Sequence, residues 1–202
     1  HKCKSVILAT GAKHRSLGLP GEKELIGHGV SYCAMCDGAF YKNSPVVVVG
    51  GGNTAITDAL FLASYCESVT VIHRRETFRA DENLLTKAKE KKNIHWVTNS
   101  VVEELVGKGN LSGVRVRNKI TGEFNEIPVE AVFIAIGQVP ENAAFANLLT
   151  TDTEGYLIAG EDCSTALPGI YVAGDCRAKA IRQLTTAVAD GTNAAMAAWK
   201  QG

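Results

Sequence analysis

The apolar positions of the chain fall into short unbroken runs separated by stretches with helical spacing. Ser5-Val6-Ile7-Leu8-Ala9 and Pro45-Val46-Val47-Val48-Val49 are runs of the kind buried on both faces of a parallel sheet. Gly50-Gly51-Gly52 follows the second run at once. From Asn53 to about Cys66, Ile56, Ala59, Leu60, Leu62 and Ala63 recur at helical spacing. A strand from Ser68 to Ile72 ends in His73-Arg74-Arg75, which completes a βαβ opening with its glycines in the strand-to-helix turn. Residues 81–92 read as a charged amphipathic helix and Asn93 to Thr98 as a strand. Val101 to Glu104 and Leu111 to Lys119 read as an antiparallel excursion, turned at Gly107–Gly109 and Thr121-Gly122. Buried strands return at 132–137 and 169–175, and an Ala-rich helix over 183–200 closes the chain. The sequence carries no internal repeat, low-complexity tract or Pro/Ser-rich linker.

Composition sharpens this picture. The 202 residues hold 21 Lys+Arg against 21 Asp+Glu, so net charge supplies no drive toward nucleic acid or an anionic membrane. With 46% hydrophobic residues the chain can build a real core, and 20 glycines against 6% aromatics favour a nucleotide-binding α/β chain over a sandwich. No apolar run approaches the roughly 20 residues of a bilayer span, and the start does not read as a secretory signal. Six cysteines are too few for a disulfide scaffold in a chain this long, so a reducing, cytoplasmic setting is expected. The chain begins without Met and its first strand lies four residues from the start, so it reads as part of a longer protein.

Four motifs carry candidate chemistry. Gly50-x-Gly52-x-x-Ala55 lies between a strand and a helix, where a pyrophosphate can approach the helix N-terminus; the alternative is a tight turn that binds nothing. An NAD site places a carboxylate at the end of the second strand, about 20 residues past the glycines. Here that place is His73-Arg74-Arg75, with Arg79 a turn later, and guanidinium groups suit the extra 2′-phosphate of NADP; a solvated basic strand end is the alternative. Cys33-Ala34-Met35-Cys36-Asp37-Gly38 is the redox signal, since two cysteines at this spacing can close and exchange a small disulfide ring while a carboxylate moves protons. Half a zinc site and two inert core thiols are its alternatives. Cys66, placed in a helix, and Cys176, behind a strand, are expected to be buried structural thiols, and Cys3 and Cys163 incidental. Finally, Gly174-Asp175 stands at a strand end ahead of Arg182-Gln183, where Asp175 suits either a ligand hydroxyl or a helix cap.

Taken in order, CAMCDG, GGGNTA, HRRETFRA, VFIAIGQVPE, GIYVAGDC and RQLTTAVADGTNAA make a chain that closely resembles the prokaryotic-type, low-molecular-weight NADPH-dependent thioredoxin reductases, from residue 8 onward. The resemblance implies an α/β fold of two Rossmann-like, three-layer ββα nucleotide-binding domains of the FAD/NAD(P)-linked disulfide oxidoreductase type. Residues 15–141 would be the NADPH domain carrying the CxxC motif, and 1–14 with 142–202 the remnant of an incomplete FAD domain. It implies that Cys33 attacks the thioredoxin disulfide, that Cys36 lies against the flavin, and that Asp37 is the acid/base. NADPH would be held by Gly50, Gly52, Asn53, Thr54 and Ala55, with the 2′-phosphate on His73, Arg74, Arg75 and Arg79. FAD would meet Gly174, Asp175, Arg182, Gln183 and Leu184. A homodimer and domain rotation about hinges near 12–16 and 138–142 are implied as well, with no metal. Two departures stand out: Met35 replaces the Thr between the family's cysteines, and the family's opening FAD-binding G-x-G-x-x-G is absent from this chain. The resemblance leaves two other outcomes open: a module that binds NADPH or a partner without turnover, and a related reductase serving a peroxiredoxin-type partner.

Overall fold

The computed structural model describes residues 2–201. The chain divides into two compact units, Arg15–Gly137 and the two flanking stretches, up to His14 and from Gln138 onward.

In the central unit, Val46 and Val48 point to one face of strand Pro45–Val49 and Val47 and Val49 to the other, and both faces are buried. This is why an unbroken valine run suits the position. The strand sits in the middle of a five-stranded parallel sheet, ordered Val30–Ser31, Ala131–Ile134, Pro45–Val49, Ser68–Ile72, Ile94–Val97. On one face, helix Asn53–Leu62 buries Ala55, Ile56, Ala59 and Leu62 against Val69, Val71 and Phe133, and helix Glu82–Lys89 adds Ala88. On the other face, Leu105, Leu111, Val114 and Val116 pack against Val47, Val49, Val132 and Ile134. These residues belong to an antiparallel sheet of strands Ser100–Lys108, Asn110–Asn118 and Phe124–Pro128. The result is helix, sheet and sheet in three layers, the Rossmann-type ββα arrangement.

The flanking unit pairs Val6–Leu8 in parallel with Ile170–Val172, and Ala12–His14 antiparallel with Gln138–Pro140. Leu8, Leu149, Leu157, Val172 and Cys176 form one small core. Tyr171, Ala173, Cys163 and Ala194, the last from helix Leu184–Gln201, form another. Among the described residues no helix is long and apolar enough to cross a membrane.

Several elements differ from the sequence reading. The helix after the glycines ends at Leu62, so Cys66 lies in the turn beyond it; its thiol is nonetheless buried and pushed up to about 11 by that burial. The strand read over 169–175 stops at Val172, and Gly174–Cys176 is a 3-10 turn, because Gly174 turns the chain at φ +79°. The chain returns to the flanking unit at Gln138 rather than 142, because Gln138–Pro140 finds its hydrogen-bond partners in Ala12–His14. Those two strands and Val30–Ser31 are too short to leave a periodic signal in the sequence.

Candidate redox and nucleotide site

All five strands of the central sheet run the same way, so the segments leaving Ser31, Val49 and Ile72 emerge at one edge. From Pro45–Val49 the chain proceeds to one side through Ser68–Ile72 and later returns on the other as Ala131–Ile134. Strand order therefore switches next to the glycine turn, which is where ligands of open α/β sheets bind.

The redox segment leaves the outermost strand. Cys33 and Cys36 are joined in a disulfide with their Cα atoms 5.3 Å apart, and Cys33 caps the short helix Ala34–Asp37. The Cys36 N–H donates to Cys33 Sγ at 3.2 Å. Asp37 turns back toward the strand, where the Ser31 hydroxyl donates to its Oδ2 at 2.6 Å. On the other side, Tyr32 donates from its hydroxyl to Glu22 Oε1 at 2.6 Å. Glu22 is buried and also accepts the N–H groups of Leu17, Gly18 and Leu19. Burial and this bond push the Tyr32 phenol up to about 12. Met35, between the cysteines, and Phe40, four residues past Cys36, are exposed, at 66% and 82%. Neither Ser31 nor Glu22 has a sequence signature; each is found only through its partners.

The glycine turn has two distinct parts. Gly50 is at φ +157°, and a Cβ there would lie 2.3 Å from the Ala135 carbonyl oxygen, so this position belongs to the fold. At Gly52 a Cβ would meet nothing within 4 Å, which leaves the backbone at the start of helix Asn53–Leu62 open to a ligand. Ala55 is buried against the sheet, whereas Asn53 and Thr54 are exposed at the helix start. The Asn53 amide donates to Asp81 Oδ2 and its carbonyl accepts the Asp81 N–H, both at 2.8 Å. Arg79 N–H adds a bond to Gly51 O at 2.8 Å, so the arginine loop is tied to the turn.

The four basic residues of that loop do not act alike. Arg74, Arg75 and Arg79 are exposed. His73 is buried, its ring lying where a Cβ on Gly51 would come within 2.2 Å of it. It stacks on Phe78 at 4.8 Å, and Nε2 bonds the Thr77 carbonyl at 3.1 Å. Burial lowers its proton affinity, partly offset by that carbonyl, and the three arginines lower it further. His73 is thus a wedge under the turn, and the solvent-facing charge belongs to the arginines.

In the flanking unit, Gly174 and Asp175 follow strand Ile170–Val172. Asp175 Oδ1 is shielded from solvent without a hydrogen-bond partner, and Lys179 Nζ stands 3.8 Å away. No local pattern along the chain marks the cluster beside it: buried Asp190, from the closing helix, accepts from Arg177 Nη2 at 2.8 Å, Lys179 Nζ at 3.0 Å and Gly174 N at 3.0 Å. Burial raises the Asp190 carboxyl, but these donors outweigh it and the net shift is downward. Arg182 lies over the Tyr156 ring at 3.5 Å, and its Nε donates to the Asp175 carbonyl. Gln183 N–H bonds Thr186 Oγ1 at the helix start, and Leu184 is 81% exposed. Of the remaining thiols, Cys163 and Cys176 are buried and Cys3 is exposed. Among the described residues no group of three or more His, Cys, Asp or Glu side chains is arranged to hold a metal.

A dinucleotide-type sheet with a disulfide at its binding edge defines a class of flavin- and nicotinamide-linked disulfide oxidoreductases. Residues 1–191 match the family described as pyridine nucleotide-disulphide oxidoreductase, and the chain belongs to that family. It is 47% identical over 192 residues to a thioredoxin reductase of Listeria monocytogenes, covering 95% of this chain and 60% of that protein. A Bacillus subtilis thioredoxin reductase is 41% identical over 196 residues, covering 96% of this chain and 62% of the relative. A thioredoxin reductase structure from Streptococcus pyogenes superposes with a TM-score of 0.92 at 40% identity, covering 98% of this chain and 65% of that one. The chain therefore spans less than two thirds of the length of these relatives.

Proposed function

We propose that this chain carries the NADPH-binding and dithiol parts of a thioredoxin reductase. The observation that carries the reading is the Cys33–Cys36 disulfide, flanked by Asp37, at the same sheet edge as a glycine turn and three exposed arginines. Family membership supplies the coarse chemistry, NADPH- and FAD-dependent oxidoreduction. The residues present fit NADPH and part of an FAD site, since the one G-x-G-x-x-A turn of this chain is the turn at 50–55. The open space at Gly52, with the N-terminus of helix Asn53–Leu62, suits a pyrophosphate, and Arg74, Arg75 and Arg79 suit a 2′-phosphate. Gly50, Asn53, Thr54 and Ala55 shape the turn around it, and His73 supports it from beneath. In the flanking unit, the orphaned Asp175 Oδ1 suits a donor hydroxyl of FAD, with Gly174, Arg182, Gln183 and Leu184 around the same strand end. When bound, the two cofactors supply the electron pair that opens the disulfide.

The cysteines do the rest. Two electrons and two protons convert Cys33–Cys36 to a dithiol. Cys33 then attacks the disulfide of thioredoxin, and Cys36 displaces it from the mixed disulfide, so the ring closes again and thioredoxin leaves as a dithiol. Asp37 takes a proton from the attacking pair and returns one to the leaving sulfur. The near match to thioredoxin reductases of Listeria and Bacillus favours thioredoxin over other disulfide proteins as acceptor. Stopped-flow spectroscopy of the flavin-loaded protein tests the scheme. In Cys36→Ser, NADPH still bleaches the flavin band while thioredoxin turnover falls by at least 100-fold. Undiminished turnover rejects the dithiol route.

A further inference from the structure

Ser31 ends the strand Val30–Ser31, is buried at 4% exposure, and is held in register opposite Phe133. Its one hydroxyl faces both ends of the redox segment. It accepts the Cys33 N–H at 3.0 Å and donates to Asp37 Oδ2 at 2.6 Å, a far shorter contact than the 3.4 Å to the Cys33 carbonyl. A separation near 2.6 Å lies in the range of roughly 2.5–2.7 Å expected for a hydroxyl bonded to an ionised carboxylate. The helix that Cys33 caps has only four residues, Ala34–Asp37, and cannot by itself aim the carboxylate that ends it. In the oxidised chain the disulfide also ties this loop; once it opens to a dithiol, the Asp37 N–H still bonds the Cys33 carbonyl at 3.1 Å, and the serine bridge is the bond made to the carboxylate itself.

We infer that Ser31 is a positioning residue that holds the Asp37 carboxylate beside the Cys33/Cys36 pair in both redox states, and so acts on thiol–disulfide exchange through Asp37. The inference rests on reading the pair as a redox dithiol, and on nothing about NADPH, FAD or thioredoxin. In the exchange step, the two cysteine thiols lose two protons and two electrons as their S–S bond forms. The disulfide of the reacting partner breaks and takes up both, leaving as two thiols. Asp37 accepts one proton from the pair, passes it to the leaving sulfur and ends unchanged.

The test uses the dithiothreitol-reduced, desalted protein with oxidised glutathione as probe, following closure of the Cys33–Cys36 ring by acid quench and mass between about pH 5 and 9. Asp37→Asn and Ser31→Ala each slow closure about tenfold. Their combination is no slower than Asp37→Asn alone, because the two act as one unit. Ser31→Thr, which keeps the hydroxyl, recovers most of the rate. A Ser31→Ala rate within twofold of the parent at every pH, or losses that simply multiply in the double variant, overturns the inference. Should Ser31→Ala fail to fold by circular dichroism, Ser31→Val replaces it against Ser31→Thr, a pair matched in volume that differs by the hydroxyl, with the same criteria. Failure of the NADPH or thioredoxin steps leaves these rates untouched, so the two readings fail separately.

Discussion

At the scale of single residues, the groups that matter are those whose environment conflicts with their chemistry. Asp58 lies on helix Asn53–Leu62 between the buried positions Ala55, Ile56, Ala59 and Leu62. Burial alone pushes its carboxyl up from 3.8 to about 6. The folded chain therefore binds this proton more tightly than the unfolded chain does. Stability is greatest below the unfolded value and is lost as pH rises through about 6, where the buried charge must form. Two pH units correspond to about 3 kcal/mol, and partial exposure reduces the expected cost to about 1–2 kcal/mol. Asp58→Asn should add that amount at neutral pH and flatten the decline between about pH 4 and 7. Urea unfolding across that range checks it, and parallel pH profiles for variant and parent would refute it. Burial shifts Cys66, three residues past Ala63, in the same direction, to about 11, but a thiol is already neutral at pH 7, so the shift leaves it an inert core group.

At the scale of elements, the strand-turn-helix at 45–62 separates folding from binding within three glycines. Gly50→Ala places a Cβ 2.3 Å from the Ala135 carbonyl on a backbone with φ +157°, so it should cost about 2–4 kcal/mol in thermal or urea melts. Gly52→Ala meets no neighbour, and its backbone at φ −100° and ψ −178° suits any residue. Its stability should stay within about 1 kcal/mol of the parent. The added methyl instead fills the space given to the pyrophosphate, so NADPH affinity should fall at least tenfold in a fluorescence titration. Equal affinity would show that the turn holds no phosphate. Gly51 completes the set, because it makes room for the His73 ring that props the turn.

For the whole molecule, the two units differ in what they can support alone. Arg15–Gly137 has a five-stranded sheet covered on both faces, and its ends meet where the Arg15 N–H donates to Gly137 O at 3.0 Å. Expressed by itself, residues 15–137 should fold and unfold in one cooperative urea transition, and it should retain the Cys33–Cys36 ring. Among its described residues the flanking unit has two-stranded pairings, a few isolated bridges and two small cores, so its isolated stretches should show no such transition. A broad, non-cooperative melt of 15–137 would show that its core depends on the rest of the chain.

Much of this architecture is legible in the sequence, because long elements buried on one or both faces must repeat their apolar residues at the period of their backbone. The valine strand, the glycine turn, Ser68–Ile72, the closing helix and the CxxC segment all carry such local patterns. The sequence also determined which residues could do chemistry, since cysteines three positions apart and arginines at a strand end are chemical facts before they are structural ones. Tertiary structure decided how those residues are used. It buried His73 beneath the turn while leaving Arg74, Arg75 and Arg79 in solvent. It joined Ser31 to Asp37, Glu22 to Tyr32, and Asp190 to Arg177 and Lys179. A hydrogen bond or ion pair needs only two atoms to meet in space. It imposes no periodicity on the chain, and so it becomes visible only once the sheet has brought its ends together.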